Sequence, residues 1–231
     1  MIKKIESKNM GSSEQGWLRS KFHFSFADYY NPNNIQFGVL RVINDDLVEA
    51  GTGFDTHPHR DMEIISYVVN GELTHGDNMG NESTLQRGHV QYMSAGTGVY
   101  HSEHNLGTER ARFLQIWIFP DKRDHSPAYG DFRFPWENRH NQWLHMVSSK
   151  KGDAPVKINQ DANIYSLELE QGKEITFSVP EGRQAYLVQI EGRVKINDIE
   201  LSPQDALEIR SEELLLKASE LSHILLIEMN R

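Results

Sequence analysis

The sequence predicts an all-β fold in two domains, each an antiparallel barrel or sandwich, packed together. Three observations carry this expectation. Short apolar or β-branched runs recur at roughly 8–12-residue intervals with turn residues between them. No long helical period interrupts them in the first half of the chain. One strand-turn-strand pattern also occurs twice: Val68-Val69-Asn70-Gly71-Glu72-Leu73 is echoed by Gln189-Ile190-Glu191-Gly192-Arg193-Val194, and Leu114-Gln115-Ile116-Trp117-Ile118 by Ile224-Leu225-Leu226-Ile227-Glu228.

Taken in order, Phe22-His23-Phe24-Ser25-Phe26 alternates aromatic and polar residues as a strand with one aromatic face, broken by Asn31-Pro32-Asn33-Asn34. Phe22, Phe24, Phe26, Tyr67 and Phe113 are read as core aromatics; any that lines a pocket would favour a flat aromatic ligand. A second strand runs from Phe37 to Ile43 and is closed by Asn44-Asp45-Asp46. Glu63 to Val69 is β-branched and aromatic, and Asn70-Gly71 follows as a turn that needs positive φ. Further strands are expected at Leu73–His75, His89–Met93, Val99–His101 and Arg112–Phe119. Residues 120–143 carry Pro127, Pro135 and scattered charges and read as a linker or outer crossover. Strands resume at Ile164–Leu169 and continue to Ile224–Met229, so the division expected is 1–130 and 131–231.

Composition excludes several classes of function. The net charge of −9 and the lack of a basic run argue against nucleic-acid binding. With no cysteine there are no disulfides, iron–sulfur clusters or thiolate zinc sites, so a metal must be held by His, Asp, Glu or carbonyl oxygen. The N-terminus has no apolar signal region and no run reaches the ~18–20 apolar residues that span a bilayer, so no membrane partner and a cytoplasmic location are expected.

Six of the eleven histidines lie between His57 and His104. Within that stretch, His57-Pro58-His59 and His101-Ser102-Glu103 are both H-x-(H/E) triplets. Side chains two apart on a strand share a face, so two such triplets on strands of one domain bring three imidazoles and a carboxylate together. That donor set suits one divalent metal, iron first, with copper, nickel, cobalt, manganese and zinc also accepted. Asp55, Asp61 and Asn105 are candidate partners for the second ring nitrogens. His104 has the opposite parity and is expected to face away from the metal; His75 and His89 read as surface residues, with the cavity mouth as the alternative place for each. The second half has His140, His145 and His223 without any such triplet, and is expected to be metal-free.

The residues also carry a family resemblance. Gly51-(x5)-His57-x-His59-(x3)-Glu63-(x7)-Gly71 resembles the first cupin motif, with one extra residue before its last glycine. Gly88-(x7)-Gly96-x-Gly98-(x2)-His101-(x3)-Asn105 is similar to the second, with Ser94 at the usual proline position and a spacing to the histidine longer by two. Together with Phe24-Ser25-Phe26-Ala27-Asp28-Tyr29-Tyr30 and Met93-Ser94-Ala95-Gly96-Thr97-Gly98, they resemble the pirin family.

The resemblance implies a bicupin with one metal in its N-terminal domain, held by His57, His59, His101 and Glu103. General cupins place the carboxylate at the position of Glu63. Parity leaves both carboxylates open, but Glu63 lies ~13 Å along an extended strand from His59, whereas Glu103 is one pleat from His101. The resemblance further implies a metal-dependent dioxygenase that cleaves flavonols such as quercetin with O2 and releases carbon monoxide. In that reaction Glu103 is the catalytic group that takes the substrate proton. Because histidine binds metal only when deprotonated, activity is expected to fall on acidification near pH ~6.5. A second expectation from the same family is a non-catalytic metal-binding regulator or redox sensor, with a protein partner seated around Asp121–Asn141. A chain with two such domains can satisfy its own sheet edges, so a monomer is expected.

Overall fold

The computed structural model describes all 231 residues, as twenty strands and two short 3-10 turns. The first twelve strands are β1 (Ile2–Ile5), β2 (Gly11–Glu14), β3 (Leu18–Phe22), β4 (Leu40–Val48), β5 (Thr52–His59), β6 (Glu63–Asn70), β7 (Glu72–Asp77), β8 (Glu82–Gln86), β9 (Val90–Ser94), β10 (Val99–Asn105), β11 (Ala111–Ile118) and β12 (Ala128–Phe132). The other eight are β13 (Leu144–Ser149), β14 (Val156–Ile158), β15 (Ala162–Leu169), β16 (Glu174–Glu191), β17 (Val194–Ile196), β18 (Ile199–Leu201), β19 (Ala206–Ala218) and β20 (Ser222–Asn230). No helix is long and apolar enough to cross a membrane.

The chain forms two compact units. The first comprises 11–135 with 158–160, and the second comprises 1–10, 136–157 and 161–231. This differs from a cut at 130/131 at both ends of the first unit. β1 pairs in register with β19, so the first ten residues belong to the second unit. Part of the expected linker is regular structure too, since β12 pairs with β9.

In the first unit a four-stranded sheet, β5-β10-β7-β8, faces a seven-stranded sheet, β12-β9-β6-β11-β4-β3-β2. Both are open, so the architecture is a sandwich and not a closed barrel. Leu73 and Leu85 from the smaller sheet pack with Val68 and Phe113 from the larger. In the second unit β16 and β19 pair on both sides of a register shift between Val179 and Gln184. Their apolar faces bury Leu187, Leu207, Leu214 and Leu226 in one core.

The internal echo has a physical basis. Gly71 and Gly192 both end a strand at positive φ, +69° and +74°. A Cβ on Gly71 would run into the backbone at Arg110 and Ala111, and one on Gly192 into the backbone at Leu221 and Ser222. Each glycine thus lets a hairpin turn pass against the chain entering the strand that pairs with β6 or β16.

Two strand expectations need correction. β4 does not close at Asn44-Asp45-Asp46 but runs through them to Val48, with all three buried. Arg112 holds Asp45 with two hydrogen bonds of 2.8 and 2.7 Å, and Ser20 bonds Asp46 at 2.5 Å, so the polar run is absorbed into the sheet. Conversely, β3 stops at Phe22. Beyond it the Ser25 hydroxyl donates to Asn31 O and accepts from Asn31 N–H, turning the chain while Phe24 stays buried.

Candidate metal centre

His57 and His59 lie on β5, an edge strand whose one neighbour is β10. Their side chains share a face, and Pro58 between them is exposed on the other. An edge strand tolerates the missing N–H. In register, His57 stands opposite His101, and a bulge between His101 and Glu103 then places Glu103 against Phe54. The three rings converge, with centroid separations of 4.8 Å (57–59), 4.5 Å (57–101) and 5.0 Å (59–101). Their nitrogens form one group of possible metal-binding atoms, and His75, His101 and Glu103 form a second, overlapping group.

The protonation pattern suits a metal. The Nδ1 of His57 donates to the Asp55 carbonyl at 2.7 Å, which leaves Nε2 with its lone pair. The Nε2 of His101 is buried and has no hydrogen-bond partner. Burial first, and neighbouring imidazoles second, push His59 down to about 4 and His101 down to about 3, so both rings are neutral donors at physiological pH. Of the three residues named from sequence as possible partners, Asp55 serves through its carbonyl. Asp61 accepts from the Asp124 N–H, and Asn105 holds Val48 O, Glu109 O and Gly107 N–H around a turn.

Glu103 is 2 % exposed and sits in a cage of donors. Ser66 Oγ and Gln91 Nε2 donate to Oε1, and Gln115 Nε2 donates to Oε2. Three bonds from three strands of the facing sheet fix the carboxylate's orientation. Glu63, the alternative, joins neither histidine group. It accepts from Ser94 Oγ at 2.7 Å, from the Asn159 N–H at 3.1 Å and from Asn159 Nδ2 at 3.2 Å, which ties β6 to the 158–160 segment.

His75, a surface residue by its sequence context, is fully buried. Its Nε2 meets Asp77 Oδ2 at 3.0 Å, its Nδ1 lies 3.5 Å from His101 Nδ1, and its ring stacks on Tyr129 with centroids 4.2 Å apart. Burial pushes the Asp77 carboxyl up, but bonds from His75, Asn81 and the Met79 backbone outweigh it and hold the group below the usual carboxylate range. An Asp77 carboxylate fixes the proton on His75 Nε2. His75 Nδ1 then accepts from His101 Nδ1–H, and the His101 lone pair on Nε2 points away. The signal in the sequence was a third triplet, His75-Gly76-Asp77, in register with His101 and Glu103 on β10. We expect His75→Phe, which keeps the stacking surface, and Asp77→Asn each to weaken metal binding by about 10–100-fold. Competition with a chelator measures this, and unchanged affinity would remove the pair from the centre.

His104 faces the outer side beside Asp55. His89 accepts from the Gln86 N–H in a turn. In the second unit, His145 stacks on Tyr165, His223 lies beside Glu191, and His140 lies between Glu168 and Glu170.

Beside the histidines is a cavity of about 350 Å³, within the range of small-molecule sites. His57, His59 and Glu103 line it, with Trp17, Phe22, Phe26, Phe54 and Trp117 as aromatic walls. Phe22 and Phe26 are therefore pocket residues as well as packing ones. Ser20, Asn44 and Asp46 supply polar groups on the wall formed by β3 and β4. Burial outweighs the Ser20 hydrogen bond and pushes the Asp46 carboxyl up to about 7.

These shifts give the metal-free protein a defined response to acid. Buried His23 and His101 and half-buried His59 sit at about 4, 3 and 4, below the ordinary value of 6.5. Between those values the unfolded chain binds more protons than the folded one, so stability falls as pH drops from about 6.5. Asp46 acts in the opposite sense, since its folded value lies above 3.8, and so does exposed His140, which its hydrogen bond with Glu168 holds above 6.5, but the three lowered histidines outweigh them. Thermal melts of the metal-free protein at pH 7.5, 6 and 4.5 should show a falling midpoint, and a steeper fall in Asp46→Asn. A rising midpoint would contradict this charge distribution.

The chain resembles known proteins along its whole length. A family model described as Pirin matches residues 4–118, and one described as Quercetinase C-terminal cupin domain matches 145–229. A quercetin 2,3-dioxygenase of Escherichia coli is 39% identical over 99% of each chain. A Pseudomonas aeruginosa relative, 42% identical over 99% of this chain and all of its own, bears the same name provisionally. The crystal structure of the bacterial pirin YhhW from Escherichia coli in complex with nickel(II) superposes with a TM-score of 0.93 at 38% identity, covering 100% of this chain and 99% of that one.

Proposed function

The chain belongs to the pirin family, and from that premise we propose that it is a metal-dependent dioxygenase opening flavonols such as quercetin with O2 and releasing carbon monoxide. The metal would be held by His57, His59, His101 and Glu103. The observation that carries this reading is three converging imidazoles at one side of an aromatic cavity that is also lined by a fixed carboxylate. A likeness in name, at 39–42% identity to the dioxygenases above, supports the same reaction.

When bound, a divalent metal supplies Lewis acidity and a template for the substrate hydroxyl. The residues do the rest. His57, His59 and His101 would give one lone pair each, with the carbonyl of Asp55 setting which nitrogen of His57 gives it and the ring of His75 doing so for His101. Trp17, Phe26 and Phe54 hold a flat ring and exclude water from it. Glu103 offsets positive charge and takes the proton of the substrate hydroxyl. Oε2, with one donor against two on Oε1, is the oxygen with room for it.

The test is reconstitution with iron, nickel, copper, cobalt, manganese or zinc, followed by quercetin turnover with headspace carbon monoxide measured. Carbon monoxide equal to quercetin consumed is the expected result. None under any loading, or full turnover by a metal-free His57→Ala protein, would overturn the assignment.

A further inference from the structure

The polar wall of the cavity has no part in the chemistry above. Asn44 and Asp46 are two apart on β4 and point to one face, and Ser20 stands opposite Asp46 on β3. Asn44 stands opposite Gln115 on β11, which donates to Glu103. This wall therefore belongs to the sheet that faces the histidines, and a ring seated beside His57 and His59 presents its other face or edge to it. Asn44 is 4% exposed, lines the cavity, and its Oδ1 is buried with no hydrogen-bond partner. Asp46 is 3% exposed, and the side chain bonded to it is that of Ser20, at 2.5 Å to Oδ1.

A buried acceptor without a donor is costly, and an aromatic pocket that retains one is built to meet a donor on its ligand. We propose that Ser20, Asn44 and Asp46 form a second polar subsite that takes a phenolic hydroxyl of the aromatic ligand, distinct from the oxygen that meets the metal. The phenol donates to Asn44 Oδ1, and the Ser20–Asp46 pair lies one pleat along the same wall to receive a neighbouring oxygen. The ligand class is a flat aromatic carrying at least two separated hydroxyls. The subsite rests on the proposed function only in assigning the first hydroxyl to the histidines.

Binding without turnover tests it. Protein loaded with zinc is titrated anaerobically with 3-hydroxyflavone, with quercetin, and with quercetin methylated at each phenolic oxygen other than the 3-hydroxyl in turn. Quenching of tryptophan fluorescence reports occupancy, since Trp17 and Trp117 wall the cavity. Wild-type protein should bind quercetin roughly tenfold more tightly than 3-hydroxyflavone, and one methylated position should lose the whole advantage. Asn44→Leu, which keeps the volume and removes the acceptor, should bind all members alike. The methylated series on wild-type protein gives the answer even if that variant fails to fold. Equal affinity across the series, no binding by any member, or a preference that survives in Asn44→Leu would overturn the subsite. Absence of carbon monoxide with the preference intact would instead overturn the reaction and leave the subsite standing.

Discussion

A His101→Ala protein should fold and hold no stoichiometric metal. His101 belongs to both groups of possible metal-binding atoms, and its Nε2 is a buried nitrogen without a partner. Removing the ring leaves His75 Nδ1 without its neighbour, at a cost of about 1–3 kcal/mol, well inside the ~5–15 kcal/mol stability of a domain. Metal affinity should fall by more than the ~100-fold that loss of an outer partner produces. Elemental analysis and a thermal melt of the same sample check both halves. A folded His101→Ala protein carrying one tightly bound metal per chain would show that the donor set is misassigned.

Glu63→Leu should have the opposite profile, a large loss of stability with the metal retained. Its carboxyl accepts from three buried donors, at Ser94 Oγ, Asn159 N and Asn159 Nδ2. Stranding them should cost about 3 kcal/mol or more. At roughly 2–4 °C per kcal/mol for a chain of this size, the melting midpoint drops by about 10 °C. Glu63→Gln retains an acceptor and should lose far less. Metal per folded chain should match wild type in both variants. A stable, metal-free Glu63→Leu protein would return Glu63 to the ligand position of general cupins.

The period of two along a strand made much of this site legible. His57, His59, His101 and Glu103 announce themselves as triplets because β5 and β10 keep that period within each triplet, the extra residue of the bulge falling on β5 between Phe54 and His57. The two halves echo each other because Gly71 and Gly192 each meet a backbone that no side chain can share. What the local sequence hid was settled by partners far along the chain. Asn44-Asp45-Asp46 has the composition of a turn, yet Arg112 and Ser20 convert it into mid-strand, and two of its residues into cavity wall. His75 looks like a lone histidine until β7 is laid in register beside β10. The pairing of β1 with β19 joins residues more than 200 positions apart, and neither strand carries a local mark of the other.

The two overlapping groups of donors around His101 set the decisive measurement. Crystals soaked in nickel(II) or iron(II), with anomalous scattering recorded at the metal edge, locate the ion directly. A single peak at about 2.0–2.2 Å from the ring nitrogens of His57, His59 and His101 and a Glu103 oxygen is the predicted result. A peak among His75, His101 and Glu103, or no peak in the first unit, would contradict it.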